Sequence, residues 1–309
     1  MTALGLATIE AGLGEVLALG GRALAWSEAQ QAPALVSAGL SGEALVLGRL
    51  QREETLQARS PARFEVSLAR RATTGTEAQL SGAVLYHALA LPRVDALFSD
   101  ASARTLLNRN LRAILRGYTA AGVPFRYFGT EVLALLGQPV ALVGYDQVAS
   151  GAVLIEVLIG LEAPCVVRSA LKREPPAPLY SILRDRPAPL DLLQRAVRGV
   201  VERLGATTSN IENALPAAVA VPPIEASEKI AEVAIPLGVV EAAVAPRVRI
   251  TGDLLVGSAA LSRVEALAQA AADAGVPLSE ALLEPLRGEP LDGARPPDLL
   301  GALQAALGA

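Results

Sequence analysis

Apolar runs bounded by Gly and Pro fill the first two thirds of this chain, and they predict strands with helices between them. Ala44 to Leu50 is an apolar run ending around Gly48-Arg49, as expected of a buried strand. Phe64 to Leu68 alternates and leads into Arg70-Arg71. Ala83 to Leu91 is a further strand, stopped by Pro92. Shorter strands follow at Phe125 to Phe128, Val132 to Leu136 and Val140 to Val143, the last two joined by Gly137-Gln138-Pro139. Ala152 to Leu161 is another. Helical spacing marks Ser102 to Ala121, with Leu106, Leu107, Leu111, Ile114 and Leu115 on one face and Gly122 at the stop. Leu190 to Leu204 is amphipathic and follows Pro189, which a helix start tolerates. Glu28 to Ala38 reads as a short helix broken at Pro33.

These elements predict an α+β fold: a mixed, mostly antiparallel sheet flanked by helices, over residues 1–212. Pro216, Pro222 and Pro223 sit among small residues and mark a linker over 213–227. Beyond it, 228–309 reads as a small α+β accessory domain. Its strands fall at Ala231 to Val244 and Val248 to Val256, and its helices at Ala259 to Ala274, Pro277 to Leu286 and Pro297 to Leu307.

Composition narrows the function classes. The chain has 309 residues, 52% of them hydrophobic, enough for a substantial core. Its most apolar stretch, Val140 to Leu161, contains Asp146, Gln147 and Glu156, and a spanning helix needs about 20 mostly apolar residues. No membrane span is expected. The first residues include Glu10 and Glu15 and no early positive charge, unlike a signal peptide, so a cytoplasmic protein is expected. A net charge of -4 argues against non-specific nucleic-acid binding. The lone cysteine, Cys165, excludes an internal disulfide and a cysteine-based metal site, and no metal site is expected. Lys172 and Lys229 are the only lysines, so chemistry that needs a lysine has two candidates.

The stretch Arg70-Arg71-Ala72-Thr73-Thr74-Gly75-Thr76 carries the most chemical information. Such a loop can present backbone N–H groups and guanidinium forks to a phosphate or carboxylate. It can equally be a solvated pair of arginines beside a turn.

Several motifs, in order, resemble the lipoate-protein ligase branch of the biotin/lipoate ligase superfamily. Leu45-Val46-Leu47-Gly48-Arg49-Leu50-Gln51 resembles a strand ending in Gly-Arg-x-Gln. The Arg70–Gly75 loop falls where the family has Arg-Arg-x-Ser/Thr-Gly-Gly, and Gly82-Ala83-Val84-Leu85-Tyr86 resembles the strand after it. Phe128-Gly129-Thr130-Glu131-Val132 and Gly137-Gln138-Pro139-Val140 resemble two later turns. Ile250-Thr251-Gly252-Asp253-Leu254-Leu255 resembles a turn of the family's C-terminal domain. The resemblance implies ATP and lipoate as ligands, with magnesium, and a carrier domain or other protein as partner. It makes Arg49, Arg70, Arg71, Thr73, Thr74, Gly75, Thr76 and Glu131 the candidate ligand-binding residues.

The departures fall on the groups that adenylation needs. Gly75 is the one glycine left in the loop, the family histidine aligns with Leu80, and the family lysine falls on Pro139 or Val140. A later His-Gly pair reads Glu156-Val157. A developing anion needs a fixed cation and backbone donors nearby, and Arg126, Arg168 or Lys172 would have to supply the charge. The expectation is a binding or assembly protein without adenylation activity. The alternative is an active ligase or acyltransferase with relocated groups. Cys165 is a weak catalytic candidate, because related transferases use a cysteine in that region, and it can equally be a buried structural thiol. His87 is read as structural rather than as a base. Glu131 either keeps the acidic role of the family's aspartate or caps a turn, and Asp253 caps or turns the C-terminal unit.

Overall fold

The structure is a computed structural model describing residues 3–10, 12–168, 174–218, 221, 224, 230–244 and 246–308. The chain opens with strand β1 (Ala3–Glu10) and helix α1 (Leu13–Gln30). Then come β2 (Ala34–Leu47), α2 (Glu53–Arg59), β3 (Ser67–Arg70), β4 (Ala78–Leu91) and α3 (Leu106–Ala120). A meander of β5 (Arg126–Tyr127), β6 (Val132–Leu135), β7 (Gln138–Gln147) and β8 (Val153–Gly160) follows. One helical turn, α4 (Leu179–Ile182), precedes α5 (Pro189–Leu204) and β9 (Thr207–Asn210). Residues 230–307 supply β10 (Ile230–Ile235), β11 (Gly238–Ala243), β12 (Arg249–Gly252), β13 (Leu255–Val256), α6 (Ser258–Asp273), β14 (Leu291–Asp292) and α7 (Pro296–Leu307).

The main sheet runs β5-β6-β7-β8-β4-β2-β1-β9, with β3 paired to β2. Most pairings are antiparallel; β1 with β2, β1 with β9 and β2 with β3 are parallel. Successive side chains of a strand point to opposite faces, and both faces here are apolar. Leu85, Leu89, Ile155, Val157 and Ile159 face α3 and α5. Val84, Tyr86, Ala88, Leu154 and Leu158 face α1. The long apolar runs of β4 and β8 therefore lie at the centre of a sheet covered on both sides. A second apolar core sits between the three-stranded β10-β11-β12 sheet, α6 and α7.

Several expectations need correction. Glu28 to Gln30 is the last turn of α1, which ends at Gln31 in a left-handed conformation (φ 51°), and Pro33 keeps the helix from resuming. Ala34 onward is strand, because it pairs β1 on one side and β4 on the other. Ala231 to Val244 is a hairpin turned at Pro236-Leu237 rather than one strand. Residues 280–286 form a 3-10 helix containing Pro285, which cannot donate a backbone hydrogen bond. The tight link between β6 and β7 is Leu136-Gly137, with φ 51° and 90°, and Gln138 already belongs to β7. Positive φ at both loop residues matches the twist of a two-residue hairpin. The linker expected over 213–227 lies largely outside the described residues. No described helix is long and apolar enough to cross a membrane.

Helices α3 and α5 touch through glycines. A Cβ on Gly117 would lie 2.4 Å from the Ala196 carbonyl oxygen, and one on Gly199 would lie 2.8 Å from that of Gly117. Gly117→Val should therefore lower stability by about 1–3 kcal/mol in urea denaturation. Gly301→Ala in α7, where nothing lies within 4 Å of the added Cβ, should raise it by about 0.5–1 kcal/mol.

Candidate functional site

Residues 70–77 leave β3 and cross between the end of β2, strand β7 and the turn before β13. The loop is pinned at each step. Arg71 N donates to Leu47 O (3.0 Å), and Arg49 N donates back to Thr73 O (2.8 Å). Thr73 N donates to the Glu156 carboxylate (3.0 Å). Thr74 N donates to Tyr145 O (3.0 Å), and Gly75 N donates to Leu254 O (2.6 Å). The Thr74 hydroxyl lies 2.7 Å from Tyr145 O and 2.9 Å from Val256 O, and accepts from Val256 N. Three consecutive loop N–H groups thus face acceptors of the protein itself. Gly75 holds φ 109°, and its carbonyl oxygen lies so near Gly48 that a Cβ there would meet it at 2.0 Å.

The two arginines also turn inward. Arg71 is 1% exposed, and its Nη2 donates to Thr74 O and Thr76 O (2.9 Å each). Its Nε and Nη1, and the buried Thr76 Oγ1, have no hydrogen-bond partner among the described residues. Burial pushes its pKa down, and Glu156 opposes that shift. Arg70 donates to Gly48 O (2.9 Å) and Gln51 O (2.6 Å). Arg49 pairs with Asp146 (2.9 Å), which also accepts Ser258 N (2.7 Å). Outside the loop, a groove of about 410 Å³ is lined by Leu17, Gly21 and Leu24 of α1 with Arg49, Arg70 and Ala72.

Glu156, on central strand β8, is fully buried. It accepts Thr73 N and Oγ1 (2.5 Å) on one oxygen and Tyr86 OH (2.5 Å) on the other. Two glycines make room for this network. A Cβ on Gly144 would meet Thr73 Oγ1 at 2.0 Å, and a Cβ on Gly20 would meet Glu156 Oε1 at 2.4 Å. Burial and the neighbouring carboxylate raise the Tyr86 pKa well above its ordinary value.

A second cluster ties the loop to the C-terminal unit. Glu77 accepts Arg168 (2.6 Å), Arg63 (3.2 Å) and Gln51 (2.8 Å). Asp253 accepts Arg168 (3.1 Å), Arg59 (3.1 Å), Gln51 (2.6 Å) and Val239 N (2.9 Å). Burial alone would raise the Glu77 pKa, but Arg168 outweighs it and holds the carboxyl below the usual range. Arg168 is therefore committed to two carboxylates, and Arg126 is exposed on β5. Lys172 and Lys229 lie outside the described residues. Sequence reasoning did not reach Glu77, Arg59 or Arg63; the signal was six charged residues over 52–65.

The remaining candidates are buried. Glu131 heads β6, and its carbonyl accepts Val143 N (2.6 Å). His87 bridges Ser37 Oγ (2.8 Å) and Tyr118 OH (2.7 Å), and burial pushes its pKa down to about 3. Cys165 lies against the Leu158 and Val140 carbonyls, and burial pushes its pKa up to about 11. A thiol so placed is a poor nucleophile at neutral pH.

Two measurements check these environments. Iodoacetamide should alkylate Cys165 about two orders of magnitude more slowly in the native protein than in urea; fast native labelling would contradict its burial. The folded pKa of His87 lies below its unfolded value near 6.5. The unfolded chain therefore binds a proton that the folded protein refuses between about pH 6.5 and 3. That stability is full above this window and is lost as pH falls through it, with a slope of ~1.4 kcal/mol per pH unit. Urea denaturation across pH should show a shallower acid slope in His87→Phe than in the parent.

No protein-family model matches the chain, and no curated protein matches it in sequence. Solved structures do match. LipL1 of P. falciparum, in complex with lipoate, superposes with a TM-score of 0.58 at 11% identity, over 86% of this chain and 88% of that one. A lipoate-protein ligase A bound with ATP gives 0.51 at 15% identity, over 68% and 88%. A bipartite lipoate protein ligase of Thermoplasma acidophilum, studied with its E2 lipoyl domain, gives 0.51 at 13% identity, over 68% and 87%. At these identities the likeness is one of architecture, and the fold of this chain is that of the lipoate-protein ligases.

Proposed function

We propose that this chain is a lipoate-ligase-fold protein that does not form acyl-adenylates and acts instead through binding and assembly with other proteins. One observation carries the reading: Thr73, Thr74 and Gly75 already spend their N–H groups on Glu156, Tyr145 and Leu254. A loop that cradles phosphate must keep such donors free, and the nearest carboxylate here is the protein's own.

The residues present do not fit a triphosphate. Arg71 closes back on the loop's carbonyls, Arg70 on those of Gly48 and Gln51, and Arg168 is held between Glu77 and Asp253. Thr74 and Thr76 stand where glycines would let a ligand approach closely. Among the described residues no group of three or more His, Cys, Asp and Glu side chains could hold a metal ion. Removing one preorganised donor costs about 10²–10³ in rate, and here several are committed elsewhere. In this reading residues 1–212 keep the ligase architecture, 213–227 link, and 228–309 seal the loop. The groove beside Arg49 and Arg70 supports a retained small-ligand site without turnover.

ATP–pyrophosphate exchange in the presence of lipoate or octanoate should stay at the protein-free background. A purified lipoyl domain incubated with ATP, lipoate and this protein should gain no mass. Acyl transfer to the domain's lysine would overturn the proposal in favour of an active ligase.

A further inference from the structure

The chain is acidic overall, yet its charge is unevenly placed. Residues 104–126 contain five arginines and no carboxylate, and residues 184–203 contain five arginines against three carboxylates. Those two segments carry +7, which leaves -11 for the rest of a chain whose net charge is -4. They form α3, α5 and their flanks, packed side by side on the sheet face opposite α1.

The helix geometry concentrates the charge. Both helices bury their apolar faces, so their polar stripes point outward. Arg112 and Arg116 lie one turn apart on α3, and Arg195 and Arg198 one turn apart on α5. All four are exposed, and none forms an ion pair among the described residues. Arg116 directly precedes Gly117 and Arg198 directly precedes Gly199, the two residues through which the helices make close backbone contact. Arg116 also lies over the Phe98 ring, 5.9 Å from its centroid, and Asp191 stands one turn before Arg195. A groove of about 420 Å³ opens beside them, lined by Pro187, Asp191, Gln194, Arg195 and Arg198.

We infer that the outer face of α3 and α5 is a docking surface for an acidic protein partner. Charge complementarity sets the sign. The pattern selects the class: Asp191 and Glu202 interrupt the arginine stripe, which a protein surface can match with its own mixed charges and a uniform polyphosphate cannot. A long polyanion would also run off a helix pair only ~22 Å long onto the acidic remainder. A membrane would need an exposed apolar wedge, and Leu190 is the one exposed large hydrophobic side chain on these two helices. The inference is independent of whether the loop binds ligand, because the face lies on the other side of the sheet.

The probe is a fluorescein-labelled, acidic amphipathic helix of about 20 residues, read by anisotropy. It should bind the full chain at low salt and weaken as salt rises. The variant Arg112→Gln/Arg116→Gln/Arg195→Gln/Arg198→Gln should lose about tenfold or more in affinity while melting no lower than the parent. Arg195→Gln/Arg198→Gln alone should lose part of the binding. Unchanged peptide binding by these variants would overturn the inference. So would tighter binding of duplex DNA or phosphatidylserine vesicles than of the peptide.

Discussion

A carboxylate inside the central sheet organises this molecule. Glu156 sits on β8 between two covered faces, where an ion without partners would cost several kcal/mol. It is tolerated because Thr73 and Tyr86 each give it a hydrogen bond through a hydroxyl, and Thr73 adds its backbone N–H. That requirement fixes Thr73, and Thr73 fixes the path of the loop. Arg71 then lies buried near Glu156 and closes on the loop's own carbonyls. The loop is held by hydrogen bonds to the interior of the domain.

The second constraint is the join between the two parts of the chain. Gln51, Arg59, Arg63 and Arg168 surround Glu77 and Asp253, one carboxylate from each side. Breaking a buried pair by removing one partner leaves an uncompensated charge. Leu254 and Val256 add backbone bonds to the same loop, and Ser258 N reaches Asp146. The C-terminal unit therefore sits on the loop as a cover.

The strands were the most legible part of the sequence. The runs at 83–91, 140–143 and 152–161 are apolar on both faces because the sheet is covered on both faces, so their signal was strong. The N-terminal β1 and α1 gave none. Val16, Leu17, Leu19 and Ala23 are buried in α1, but its exposed side also carries Gly and Ala, so the contrast between faces was slight. Hairpins and 3-10 turns were missed where one residue, Pro236 or Pro285, decides the geometry. In the site, motif order singled out Arg49 and Arg70–Thr76 as candidates and put Asp253 in a turn of the C-terminal unit, with no link between the two. It could not show which way their side chains point. Glu77 and its arginines come from separate elements, and only the fold brings them together.

The glycines at 20, 48 and 144 have a consequence for substitution. Each leaves space now filled by a neighbour: Glu156 beside Gly20, the Gly75 carbonyl beside Gly48, Thr73 beside Gly144. A change at any one site meets an interior already fitted to the others. Replacing Glu156 alone would strand Tyr86 and Thr73 without their acceptor and remove the carboxylate that most opposes the effect of burial on Arg71. A glycine at 74 would remove the hydroxyl to which Val256 N donates. Each such single change leaves a buried polar group without its partner, so the arrangement resists alteration one residue at a time.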